Sequence, residues 1–257
     1  MRQFYLVTDP DHLPLPGDRV SLDRDESHHL FTVLRGGRDP ELELVDGRGH
    51  RMTGLPCGRE GKSALVEILS ITTDPEELRE PRLAVACAVV KGKRFEWALE
   101  KAVELGAHEF LPLETDHGVI DPRPGKLERW RSIMTAALKQ SGRSWLPVLS
   151  EPVPVGEVLT RCSAGPVYFG AAPEDEDAIA GGVPFWTGIL DRDRGERPSL
   201  LTVLIGPEGG WSPAELTAFS LAGARPFSMG PHVLRTETAA LTGLAILQAM
   251  RDRWLMD

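Results

Sequence analysis

The sequence predicts an α/β protein whose larger part carries a mostly parallel sheet and whose smaller, N-terminal part is all-β. Three observations predict it. From residue 82 onward, apolar segments of strand length such as Leu83–Val90 alternate with segments of helical period. That alternation argues for a parallel sheet covered on both faces by helices. Residues 1–72 offer instead short strand-like runs separated by turn material. At roughly 100–200 residues per domain, a chain of 257 residues accommodates two domains. The expected boundaries are 1–72 for the β-rich domain, 73–81 for a polar linker and 82–257 for the α/β domain.

The elements follow in order. Gln3–Thr8, Glu41–Val45 and Ala64–Ile71 have strand length; "DGRGH" and "LPCGREGKS" between the last two read as turns. "ESHHLFTVLRGG" has room for one short helix ending at Gly36. "TTDPEELREP" is the linker, closed by Pro81. "RLAVACAVV" is a buried strand. Phe95, Ala98, Leu99, Ala102 and Val103 then recur at helical spacing, with Gly106 as the stop. "EFLPL" is a short strand. "KLERWRSIMTAALKQS" puts Leu127, Trp130, Ile133, Met134, Ala137 and Leu138 on one helical face. "PVYFG" and "LLTVLIG" are strands again. "SPAELTAFSLAG" begins with Ser212 as cap, Pro213 in the first turn and Glu215 three residues after the cap, the pattern of a capping box; Gly223 ends it. The last helix starts near Thr236.

Composition excludes several classes. Apolar residues at 41% and charged residues at 26% suit a globular protein with a sizeable core. No apolar run reaches the roughly 18 residues that a membrane span needs. The N-terminus has no extended apolar signal region, so the expected location is cytoplasmic. Cys57, Cys87 and Cys162 lie far apart without a CxxC pair, which fits a reducing compartment and supplies no zinc pattern. Net charge is −9, unfavourable on average for phosphate binding. Between residues 122 and 145, however, Arg123, Lys126, Arg129, Arg131, Lys139 and Arg143 face only Glu128. Such a cluster is either a solvated helix face or an RNA-binding one.

Some apparent motifs dissolve on inspection. "GREGKS" resembles the end of a phosphate-binding loop, but the glycine required five residues before Gly61 is Pro56, and a hairpin turn explains it better. His28 and His29 are adjacent, so their rings diverge, and no nearby Cys or acid completes a metal set; no metal is expected. Neither GxSxG nor GxGxxG occurs.

Two stretches carry chemistry. In "LLTVLIGPEGGWSPAEL" a strand stops at Gly206-Pro207-Glu208-Gly209-Gly210 and a helix begins. In "PFSMGPHVLRTETAALTGLAILQAM" a second glycine corner sends Arg235, Thr236 and Glu237 into a long helix. Glycine lets a ligand approach main chain closely, and the carboxyl ends of parallel strands are where α/β sheets bind ligands. Glu237 also suits the first turn of a helix, and Thr236 its cap. Arg235 has no such local purpose.

"IGPEGGWSPAEL" followed by "MGPHVLRTETAALTGLAILQ" resembles the C-terminal signature of the RsmE family, the uridine-N3 methyltransferases of 16S ribosomal RNA in the SPOUT class. "MRQFYL", "HHLFTVLR", "DGRGH", "KGKRFEWALEKAVELGAHEFLPL" and "KQSGRSWLP" extend the resemblance over nearly the whole chain. It implies a deep trefoil knot in the C-terminal domain, a PUA-like β-barrel that binds RNA at the N-terminus, a homodimer, and S-adenosylmethionine held by knot loops. The residues implied for the cofactor are Phe169, Gly170, Ile205, Gly206, Pro207, Glu208, Gly209, Ser228, Met229, Gly230, Val233, Leu234 and Thr236. Those implied for RNA are Arg2, His29, Arg35, Arg129, Arg131 and Arg143, and those for catalysis are Arg235 and Glu237. One departure stands out: where the family has a Ser-Glu-Arg-Ser-like stretch, this chain has Glu114–Val119 without an arginine. A ribose 2′-hydroxyl as target, or a non-catalytic RNA-binding knot protein, is the alternative reading.

Overall fold

The computed structural model describes residues 3–33, 41–75, 79–118, 125–171, 185–187 and 197–256. The chain divides into two compact units: residues 1–77 with 135–146, and residues 78–134 with 147–257.

In the first unit a five-stranded sheet is ordered β1-β3-β4-β5-β2. Its strands are β1 (Gln3–Tyr5), β2 (Arg19–Ser21), β3 (Leu42–Val45), β4 (His50–Glu60) and β5 (Ser63–Thr73), with helix α1 at Arg24–Val33. β1 pairs with β3 in parallel and every other pair is antiparallel. Side chains of a strand alternate between faces, so Ala64, Val66 and Ile68 of β5 point inward together. They join Phe4, Leu22, Leu30, Leu44 and Met52 in one core.

The expected turn "LPCGREGKS" is not a turn. β4 runs through Pro56 and Gly58 to Glu60, and only Gly61 and Lys62 make the bend. Register shifts at Thr53/Gly54 and Pro56/Gly58 absorb the proline and glycines, as bulges allow residues that a regular ladder rejects. "DGRGH" is a turn locked by the buried Asp46 carboxylate. It accepts from the amides of Arg48 and His50 and from the Thr8 hydroxyl, and lies 2.6 Å from His50 Nδ1. Gly49 of that turn lies flat on the Trp145 ring, where a Cβ would come within 2.3 Å of ring carbon. Residues 135–146 thus pack with the β-rich unit although they follow much of the α/β pattern in sequence.

The second unit holds a seven-stranded sheet, β12-β10-β11-β6-β7-β8, with β9 also on β7. The strands are β6 (Arg82–Ala88), β7 (Glu109–Glu114), β8 (Val148–Leu149), β9 (Val153–Pro154), β10 (Val167–Gly170), β11 (Leu200–Ile205) and β12 (Arg225–Phe227). All described pairs are parallel. β11 is buried at every position, the signature of a strand covered on both faces. The unit's helices are α2 (Lys93–Glu104), α4 (Val155–Arg161), α5 (Pro213–Leu221) and α6 (Thr236–Met256), and α3 (Lys126–Ser141) belongs to it up to residue 134 and to the first unit beyond. The buried face of α2 is Phe95, Ala98, Leu99, Ala102 and Val103, as its period predicts. α3 matches its expected span, and α6 packs on β6, β11 and α2. α5 opens with the capping box read from sequence: Ser212 Oγ accepts from Glu215 N, and Glu215 accepts from Ser212 N. The short strands β2, β8 and β9, and the seven-residue α4, had too little periodicity to be read from sequence.

Candidate functional site

Strand order creates the site. β10 lies between β12 and β11 in a parallel sheet, so the carboxyl ends of all three emerge side by side. The two glycine corners, separate in sequence, therefore face each other with Gly170 between them. One cleft is lined by Gly170, Ala171, Ile205, Gly206, Pro207, Glu208, Gly210, Trp211, Met229, Gly230, His232, Val233, Leu234, Thr236 and Ala239.

Ten of the thirteen residues expected to hold the cofactor line it. Phe169, Gly209 and Ser228 do not, though Phe169 and Ser228 each contact a residue that does. The Phe169 ring packs edge-on against Trp211 and stacks on Phe219. The Gly209 carbonyl lies 3.0 Å from His117 Nδ1. The Ser228 hydroxyl donates to Gly230 O and accepts from Gly230 N. Gly210, Trp211, His232 and Ala239 were missed from the sequence. Trp211 left a readable signal, since a buried indole N–H must find an acceptor. It donates to Gly170 O at 2.9 Å and so ties β10 to the first corner.

The glycines have separate reasons. A Cβ on Gly206 would meet the Trp211 ring at 3.0 Å, and one on Gly170 would meet Met229 Cε at 2.9 Å. Left-handed backbone belongs to Gly210, at φ 67°, and to Gly230, at φ 138°, but not to Gly209. A Cβ on Gly230 would meet nothing within 4 Å, so that position borders open space in the cleft.

Thr236 departs from expectation. It is the first helical residue, and its hydroxyl donates across the cleft to Gly206 O at 3.2 Å instead of capping α6. The cap position belongs to Arg235, whose carbonyl accepts from Ala239 N. The Arg235 side chain is exposed, between two lining residues, and has no hydrogen bond or ion pair among the described residues. Glu237 is buried, does not line the cleft, and has Oε2 without a partner among the described residues. The Cys87 thiol, on β6, is pushed up to about 12, first by burial and then by the Glu237 carboxylate. Glu237 thus sits beneath the site, while Glu208 lines it and pairs with Arg94 at 2.7 Å.

Of the residues expected to meet RNA, Arg2 and Arg35 lie outside the described residues, as does Arg123. His29 is exposed, with its ring against Phe4. Arg131 is exposed, whereas Arg129 is ion-paired with Glu96, and Lys139 of the same helix with Glu26. Arg143 is half-buried. The basic helix therefore offers less uncompensated charge than its sequence suggests. Among the described residues no group of His, Cys, Asp or Glu is arranged to hold a metal, and no helix is long and apolar enough to cross a membrane.

Comparison with known proteins gives a consistent result. The model of an RNA methyltransferase domain family matches residues 77–248. A ribosomal RNA small subunit methyltransferase E of Mycobacterium bovis is 34% identical over 254 residues, covering 95% of this chain and 91% of its own. Among solved structures, a methyltransferase of Legionella pneumophila with bound S-adenosylmethionine superposes with a TM-score of 0.79 at 29% identity, covering 96% of both chains. The ribosomal RNA small subunit methyltransferase E of Neisseria gonorrhoeae, also bound to S-adenosylmethionine, gives 0.78 at 26% identity over 98% of both chains.

Proposed function

The chain belongs to the ribosomal RNA small subunit methyltransferase E family, and we propose that it methylates N3 of a uridine in 16S ribosomal RNA. It is an S-adenosylmethionine-dependent methyltransferase of small-subunit ribosomal RNA; the atom and nucleotide are the proposal. The observation that carries it is the cleft itself: three strand ends and two glycine corners converge, and exposed Arg235, without a partner among the described residues, stands between two lining residues.

The cleft suits the cofactor. Its walls at Gly170, Gly206, Gly210 and Gly230 lack side chains, so a ligand reaches amides and carbonyls directly. Ile205, Val233 and Leu234 supply apolar surface beside them. When bound, S-adenosylmethionine supplies a methyl group made electrophilic by its sulfonium. Uracil N3 carries a proton at neutral pH, so transfer requires that proton to leave while negative charge spreads onto the two carbonyl oxygens that flank N3. Arg235 is the residue assigned to stabilise that charge. Glu208, exposed on the cleft wall, is better placed to accept the proton than Glu237, buried below it.

Four further readings belong to the same proposal. The C-terminal segment threads a trefoil knot, supported by the chain leaving edge strand β12 and returning to the sheet centre as α6 against β11 and β6; a traced crystal structure of the cofactor complex tests it. Residues 1–72 form a PUA-like RNA-binding domain and 82–257 the knotted one. RNA contacts fall on Arg2, His29, Arg35, Arg129, Arg131 and Arg143. Homodimerisation uses the side of α6 that its own chain leaves uncovered, at Ala245 and Ala249 beside half-buried Leu241; a monomeric mass at micromolar concentration would sink it. The decisive experiment maps methylated nucleotides in small-subunit RNA from cells with and without the gene. Loss of one N3-methyluridine is expected. Loss of a 2′-O-methyl group would move the activity to ribose, and no change would remove the RNA assignment.

A further inference from the structure

The stretch that departs from the family pattern has a structural occupation. After β7, the loop Thr115–Gly118 leans on the first glycine corner and on the start of α5 through four contacts. Ser212 Oγ donates to Asp116 Oδ2 at 2.5 Å. Asp116 N donates to Glu215 Oε1 at 3.1 Å. His117 Nδ1 lies 3.0 Å from Gly209 O and 3.2 Å from Gly210 O. A carbonyl only accepts, so Nδ1 must carry the proton and donate to both. The loop is itself tight: Gly118 N bonds back to Thr115 O, and a Cβ on Gly118 would strike Thr115 Oγ1 at 2.5 Å.

We propose that His117 is a positioning residue, a brace that sets the cofactor affinity of the cleft by holding two consecutive carbonyls of the first corner. Gly209 and Gly210 have no side chains with which to anchor themselves. Their peptide orientation rests on the Gly210 N to Pro207 O turn bond and on the imidazole. Gly210 and Trp211 line the cleft and His117 does not, so the imidazole acts through the corner. The close approach also accounts for Gly209, whose absent Cβ would lie 3.2 Å from His117 Cβ. This inference rests on the cleft being the S-adenosylmethionine site.

The test uses the full chain and calorimetric titration with S-adenosylmethionine, alongside steady-state kinetics. His117→Ala is expected to bind about 3–10-fold more weakly, the value of one lost hydrogen-bonding group. KM for the cofactor should rise by a similar factor, with kcat at saturation unchanged. His117→Asn should recover most of the affinity, because its amide nitrogen stands near the position of Nδ1. His117→Gln, which places its amide nearer Nε2, should not. Unchanged affinity in His117→Ala would overturn the brace, as would equal losses in the Asn and Gln variants or a fall in kcat without a change in affinity. If the wild-type chain itself bound no S-adenosylmethionine, the cofactor reading would fall and this inference with it.

Discussion

The two corners of the cleft are built on opposite plans. The first, Gly206–Trp211, is braced from every side: by the Trp211 indole bonded to Gly170 O, the capping box of α5, the Asp116–Ser212 bond, the His117 imidazole and the Thr236 hydroxyl on Gly206 O. The second, Ser228–Arg235, has the Ser228 hydroxyl folded on Gly230 and the pairing of Ser228 with Phe185 and Trp186. Beyond that, Pro231, His232 and Val233 are exposed, Val233 at 67%. Segments with few buried contacts open at low free-energy cost. The contrast teaches that, among the described residues, the protein's own hydrogen bonds hold the first wall more firmly than the second; under the proposed cofactor reading, the second would be the wall that the ligand completes.

The largest expected effect lies on the open side. Arg235→Ala should lower turnover by about 10²–10³-fold while cofactor affinity holds, because the interaction grows toward the transition state. Raising the pH should restore part of the rate as more uracil is already deprotonated. Near-normal turnover would remove Arg235 from the chemistry. A valine at each left-handed glycine separates the walls further. Gly210→Val, in the braced corner, should lower stability by roughly 1–3 kcal/mol through backbone strain. Gly230→Val carries backbone strain as well, at φ 138°, but its Cβ would meet no atom within 4 Å and would border the cleft, so it should lose cofactor affinity in addition to stability. Matching melting and binding profiles for the two variants would erase the distinction.

Trp211→Phe should cost about 1–3 kcal/mol by leaving Gly170 O without its donor. Ser228→Ala, on the exposed side, should cost under about 1 kcal/mol. Hydrogen exchange reads the same comparison without mutation. Amides of residues 228–235 should gain protection when S-adenosylmethionine binds, whereas those of 206–211 should already be protected. Equal gains at both corners would contradict that difference between the walls.

Smaller still is the contrast along α3. Arg131→Glu should flatten the salt dependence of RNA binding by about one unit. Lys139→Glu should flatten it less, since Glu26 already neutralises that charge. The reverse order would assign the RNA contact to the paired end of the helix.

What the sequence determined by itself is local. The period of Phe95, Ala98, Leu99, Ala102 and Val103 determined both α2 and its buried face, because a 3.6-residue turn places those side chains together. The Ser212, Pro213 and Glu215 pattern determined the start of α5, because a cap acts within one turn. Glycines 206 and 230 marked two corners as places for close approach. The tertiary structure decided what those corners enclose. Only the order β12-β10-β11 brings residue 170 between residues 206 and 230, and strand order leaves no trace in periodicity. It also decided that Thr236 reaches Gly206 O rather than its own helix, that His117 holds Gly209 and Gly210, and that β4 runs through a proline. Each is a choice of partner between residues distant in sequence. Such choices depend on which polar atoms remain unsatisfied once the sheet has closed, a quantity no local window contains.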